Sequence, residues 1–195
     1  MKRTFLFVLT MLLLLGSASC AKGANDPALF DRVMQADEAL KAAKAGGAVV
    51  FDDLRCTAGQ EIWDKFYADT RAGQAAQVVC AYYYTLDEKG VSEEYYEAEK
   101  NNYPKLFFYL LEFDGKAYTI RTRDCTEKEA TEPKSFPYLV HYSGDAPEGA
   151  LFNHYDYYVL VEDESISLEE IQRGYSSSQM GDWVPHHFVY HNLVD

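Results

Sequence analysis

Cysteine is scarce in this chain, four residues in 195, so it is not a disulfide-built scaffold. No two cysteines have C-x-x-C spacing, which removes local support for a zinc ribbon or a thioredoxin-type redox pair. Positive charge is also in short supply. Lys and Arg number 18 against 31 Asp and Glu, a formal net charge of −13. Phosphate backbones and anionic lipid surfaces both call for a basic face, so nucleic acid and peripheral lipid docking are disfavoured. The sequence has no G-x-S-x-G elbow, no H-E-x-x-H and no glycine-rich phosphate cradle. No period of 20–50 residues recurs, which excludes a repeat protein. What remains is a globular composition at a length that fits one domain.

The longest hydrophobic run lies at the start. Met1-Lys2-Arg3 is a short basic opening, and Thr4 to Leu15 is almost unbroken apolar sequence. Gly16, Ser17, Ala18 and Ser19 follow, then Cys20. A basic start, an apolar middle and small residues at a cut site read as an export signal over residues 1–19. The apolar run is about 12 residues, short of the roughly 17–25 that a permanent spanning helix needs. Ser17 to Cys20 resembles the bacterial lipobox, although Ser17 stands where that pattern usually has Leu. The resemblance implies that Cys20 carries lipid and becomes the new N-terminus. Ordinary signal cleavage with Cys20 incidental, and a retained membrane helix, are the alternatives. Loss of Lys2 and Arg3 with the leader takes the net charge from −13 to −15.

Beyond a linker over residues 20–25, the pattern predicts a single α+β domain over 26–195. Asp26-Pro27 marks a helix start, with an N-cap acceptor before proline, and Gly46-Gly47 stops that helix. Residues 48–52 read as a strand. Thr57-Ala58-Gly59-Gln60 has capping-box spacing, and Ile62, Trp63, Phe66, Tyr67 and Thr70 then recur at helical period. Residues 77–86 read as a strand, 92–100 as a short acidic helix. Leu106 to Phe113 and Lys116 to Arg123 flank Asp114-Gly115, the signature of a two-residue hairpin turn. Strands follow over 136–142, 155–161 and 184–193, with a second capping box at Ser167 to Glu170 opening a helix between the last two. The order predicts an antiparallel sheet of about six strands with helices mainly on one face.

Cys80 lies in an apolar run and reads as a core residue, while Cys56 and Cys125 read as either a bridge or free thiols. All five histidines fall in the last third. His187 and His191 share a strand face but lie roughly 13 Å apart, too far to hold one zinc. Scattered carboxylates such as Asp52, Asp53, Asp156 and Glu162 could pair for hydrolysis, though spacing alone picks out none. No metal, cofactor or catalytic residue is expected from these patterns.

The sixteen tyrosines are the unusual feature. They cluster as Tyr82-Tyr83-Tyr84, Tyr95-Tyr96 and Tyr155 with Tyr157-Tyr158. Tyrosine offers a large rigid body, little entropy to lose and a polar tip, which suits recognition. Tyr83, Tyr155 and Tyr157 are the candidate ligand-binding residues. Tyrosines filling a two-sided sheet are the competing explanation.

The runs Ala81 to Leu86, Phe113-Asp114-Gly115 and Ser178-Gln179-Met180-Gly181-Asp182 resemble an uncharacterised lipoprotein family of anaerobic, Gram-positive, gut-type bacteria. That family has no assigned activity, so no functional residue is carried over. The resemblance implies an anchored lipoprotein in a compartment that forms few disulfides, which favours free thiols. Together these readings predict an acidic, tyrosine-rich binding module, lipid-anchored to the cell membrane and facing outward. Its partner would be a cationic peptide or protein, or a cell-wall glycan. A secreted hydrolase using carboxylates and histidines, and an inhibitory or structural partner of another envelope protein, are the alternatives.

Overall fold

The computed structural model describes residues 25–176 and 183–195. The leader, Cys20 and the 178–182 run lie outside them. The Asp26 side chain accepts from the Ala28 N–H, with Pro27 at the first helical position, but the expected single helix is two pieces. A 3-10 turn covers Pro27–Asp31 and α1 covers Ala36–Gly46. Arg123 fixes this break. It is almost fully buried, and its guanidinium donates to the Phe30, Arg32 and Glu127 carbonyls. Buried donors need acceptors, and here the N-terminal segment supplies them.

Strands β1 (Val49–Asp52) and β2 (Arg55–Ala58) form a tight hairpin before α2 (Gln60–Arg71). The capping-box expectation fails here, because Thr57 lies in β2 and its hydroxyl donates to the Val50 carbonyl at 3.4 Å. Gly59 takes the N-cap place instead, at φ 78. A Cβ there would stand 2.3 Å from the Ala48 carbonyl oxygen, so only glycine fits. Strand β3 is Ala76–Tyr84, α3 is Glu93–Glu99, capped by Ser92, and β4 is Lys105–Phe113. The β4–β5 turn is longer than predicted. It runs from Asp114 to Ala117 before β5 (Tyr118–Asp124), with the Asp114 carboxylate accepting from the Lys116 and Ala117 N–H groups. Strands β6 (Lys134–Phe136) and β7 (Tyr138–Asp145) replace the single strand expected over 136–142. Then come β8 (His154–Val161), α4 (Leu168–Ser176), and β9 (His186–Val194). The Ser167–Glu170 box forms as expected, each residue bonding the other's backbone N–H.

The α+β class holds, but there are two sheets rather than one antiparallel sheet. The larger has the order β2-β1-β3-β4-β5-β6, with β1 and β3 parallel. The smaller, β7-β8-β9, is antiparallel throughout. Strand alternation covers both faces of the larger sheet. Val79, Ala81 and Leu106 face α1, whose Ala39 and Ala43 let it lie close. Val78, Cys80, Tyr82 and Leu111 face the other way, toward α2 and the smaller sheet. Helices therefore do not sit on one face. The layers run α1, large sheet, small sheet with α2 beside it, then α4 over Val159 and Val161.

Among the described residues the three thiols, Cys56, Cys80 and Cys125, are free. Cys56 and Cys80 pack on the inner face of the large sheet, Cys125 on the outer face with α1, so a Cys56–Cys125 bridge would have to pass through the sheet. Trp63 is wholly buried where α2 meets both sheets. Its ring lies 4.8 Å from that of Tyr190 and 5.0 Å from that of Tyr158. Trp63→Ala should lower unfolding free energy by about 3–5 kcal/mol, measured by urea titration with far-UV circular dichroism. A loss below about 1 kcal/mol would mean that the site collapses or was never tightly packed.

Candidate functional site

Of the three tyrosines singled out by sequence, the structure brings Tyr155 and Tyr157 together and leaves Tyr83 apart. Tyr83 lies on the α1 side of the large sheet, in a shallow cleft of about 290 Å³ with Asp37, Tyr96, Lys100 and Tyr103. Its hydroxyl donates to Asp37 Oδ1 at 2.8 Å. Partial burial and that carboxylate push its pKa up to about 12. Tyr155 and Tyr157 stack at 5.0 Å on the far face of the small sheet, two layers away. Tyr157 also meets Phe188 and His191 edge-on. This aromatic row reaches the surface through His186, with Tyr175 and Trp183 exposed at its end.

The other notable cleft, of about 410 Å³, opens at the seam between the two sheets. Three elements build it. The last turns of α2 supply Tyr67, Thr70 and Arg71, the β4–β5 hairpin supplies Phe113, Lys116 and Tyr118, and the β6–β7 link supplies Pro137 through His141. Each arrives for a local reason. Tyr67 and Arg71 are four apart and share a helix flank, while Phe66 and Thr70 point into the core. The Asp114 carboxylate folds the hairpin tip back and so presents Lys116. Pro137 cannot donate to a ladder, and there the chain leaves the large sheet for the small one.

The cleft carries positive charge in an acidic protein. Arg71 and Lys116 both line it, and among the described residues neither has a carboxylate within ion-pair distance. Glu164 also lines it. Burial raises the Tyr118 hydroxyl, with Thr70 and Arg71 pulling it partly back. His141 also lines the cleft, bonded to Asp156 and stacked 4.3 Å over Tyr158. Sequence reasoning passed over Arg71, Lys116 and Tyr118 because each is unremarkable in its own element. The one available signal was the Asp-Gly turn, which put Lys116 at a loop tip.

A second group of polar side chains, Tyr82 buried and Tyr109, His187 and His191 half-buried, lies between the large sheet and β9. Tyr82 and Tyr109 rings lie 4.6 Å apart, Tyr109 meets His187 at 5.4 Å, and Tyr82 meets His191 at 5.9 Å. Burial raises the Cys56 and Cys80 thiols, the reverse of what a nucleophilic cysteine needs. Burial also lowers His187 and His191 to about 4, with Lys134 and the neighbouring histidines adding repulsion. These side chains stay neutral and serve packing. Among the described residues no three His, Cys, Asp or Glu gather as metal ligands.

These two histidines make stability depend on pH. The unfolded chain binds their protons below about pH 6.5, whereas the folded chain takes them up only near pH 4. Stability is therefore complete above pH 6.5 and falls as pH drops toward 4. Each histidine should cost about 1–2 kcal/mol between pH 7 and pH 5, read from urea midpoints at the two values. His187→Gln with His191→Gln should flatten that dependence, and an unchanged slope in the double variant would place the titrating groups elsewhere.

Set against known proteins, the chain matches no family model and shows no significant similarity to any curated protein or solved structure, so its function has to be argued from the geometry of these clefts.

Proposed function

We propose that this is an exported, non-catalytic binding module, tethered to the bacterial membrane through lipid on Cys20 and facing outward, whose ligand sits in the seam cleft. The observation that carries the reading is the pair Arg71 and Lys116, left without carboxylate partners among the described residues, in a cleft walled by Tyr67, Tyr118 and Tyr138. What sets Arg71 and Lys116 apart from the other unpaired cations is that both line one cleft, where they are free to meet an incoming anionic group. The tyrosines add area and hydroxyls at little entropic cost. The acidic surface outside the cleft favours cationic partners and keeps anionic polymers away. The leader supports export, and two or more acyl chains would hold the domain at the membrane stably.

Hydrogen exchange on the full chain, with and without soluble cell-wall glycan fragments and short peptides, locates the ligand. Protection should gather at residues 67–71, 116–118 and 137–141. Protection confined to Tyr155, Tyr157, Tyr175 and Trp183 would move the site to the aromatic row and refute the seam. The tether has its own check. Cys20→Ala should shift the protein from the membrane pellet to the soluble fraction, and an unchanged pellet would rule out the lipid anchor.

A further inference from the structure

An exposed strand edge offers a row of unbonded N–H and C=O groups, and natural sheets guard such edges with short strands, proline, lysine, bulges or covering segments. Three of the four edges here are guarded. Strand β2 is four residues long and lies against β9, with the Leu193 N–H donating to the Leu54 carbonyl and the Cys56 N–H to Asn192. That contact covers the last residues of β9, whose end is tied by Arg55 to Asp195 at 2.6 Å, while a bulge in its pairing opposite Tyr158 and Val159 breaks the rest of that edge. Strand β6 has three residues between Pro133 and Pro137. Strand β7 is different. It has eight residues, no proline and no lysine, and pairs with β8 in unbroken register from Tyr138 to Asp145. Among the described residues no backbone group outside that pairing hydrogen-bonds to it. In an antiparallel ladder every second residue turns its N–H and C=O away from the partner, so β7 presents an open edge.

The cations stand at one end of this edge. Pro137 through His141, the start of this edge, line the same seam cleft as Arg71 and Lys116. We propose that β7 receives an extended peptide segment as a fourth strand of the small sheet, with an acidic side chain of that segment landing between Arg71 and Lys116. This rests on the seam cleft being the ligand site and names its partner. Backbone bonds would supply affinity and the carboxylate would set register, as in other strand-addition complexes. Two cations at one end call for one anionic group there, not an acidic run, which the rest of the surface would repel. The same long-range repulsion disfavours a second copy of this strongly negative chain as the occupant.

The test uses fluorescence anisotropy of the full chain in detergent with a labelled eight-residue peptide. Its ends are blocked, it alternates valine and threonine, and a single glutamate sits near one end. Saturable binding should weaken about tenfold or more in Arg71→Gln with Lys116→Gln. Replacing the peptide's glutamate by glutamine should weaken binding to the same extent, with no further loss when the two changes are combined. N-methylation of alternate peptide residues should abolish binding in one phase and spare it in the other. Those peptide-side changes hold even if a protein variant misfolds. Binding indifferent to N-methylation phase, or to the glutamate, overturns the proposal. So does a concentration-dependent dimer of the chain that excludes the peptide. If glycan fragments protect the cleft while the peptide does not bind, strand addition fails and the cleft reading stands. If neither perturbs it, both fall.

Discussion

The structure depends on one aromatic contact, the wedge that α2 drives between two sheets. Trp63 meets Tyr158 and Tyr190 of the small sheet, and Tyr190 meets Phe51 edge-on at 5.0 Å. Phe51 in turn stacks on Tyr82 at 4.5 Å. A single stack thus joins helix, large sheet and small sheet. Rings of this size bury large apolar areas, and edge-on geometry adds to the area term. Where the wedge ends, at the last turn of α2, nothing fills the space between the sheets, and that is where the seam cleft opens.

The wedge also decides what the tyrosines do. Sequence reasoning treated them as one population split between recognition and packing, and the structure separates them by layer. Tyr82, Tyr158 and Tyr190 are buried, and Tyr67 flanks the wedge 4.9 Å from Tyr158. Tyr155 and Tyr157 line the opposite face of the small sheet, and Tyr83 is spent on Asp37. A tyrosine's environment follows from which side of its strand it occupies, and alternation gives the side. Alternation does not say whether another layer covers it.

Local signals were therefore legible and non-local ones were not. Asp26, Ser92 and Ser167 cap their helices as their spacing requires, because a cap is settled within four residues. The stripe Ile62, Trp63 and Phe66 marked the buried face of α2 correctly. Thr57 misled, because a threonine three residues before a glutamine fits a strand that closes a hairpin as well as a cap. Pro137 was read as an interior residue of one strand, when its missing N–H marks the jump between sheets. The parallel pairing of β1 with β3 depends on α2 crossing between them, which no local pattern records. The site was illegible for the same reason. Arg71, Lys116 and His141 come from three elements, and only the split into two sheets brings them to one cleft.

That split explains why the cleft and the open edge coincide. A strand that continued through residue 137 would have joined β6 and β7 into one outer strand beside β5, leaving no gap between two sheets. Proline at that point ends one sheet and lets the next begin at a different angle, so the first strand of the new sheet necessarily has an outer side. Natural edges of this length are usually masked, because they invite uncontrolled pairing. Along this one the titratable side chains are His141, Tyr138, Tyr142 and the exposed Asp145, and its first residues line the cleft that also holds Arg71 and Lys116. Two cations at one end of an open edge favour a strand that carries a single acidic side chain there, while the acidic surface around them turns away a strand acidic along its length.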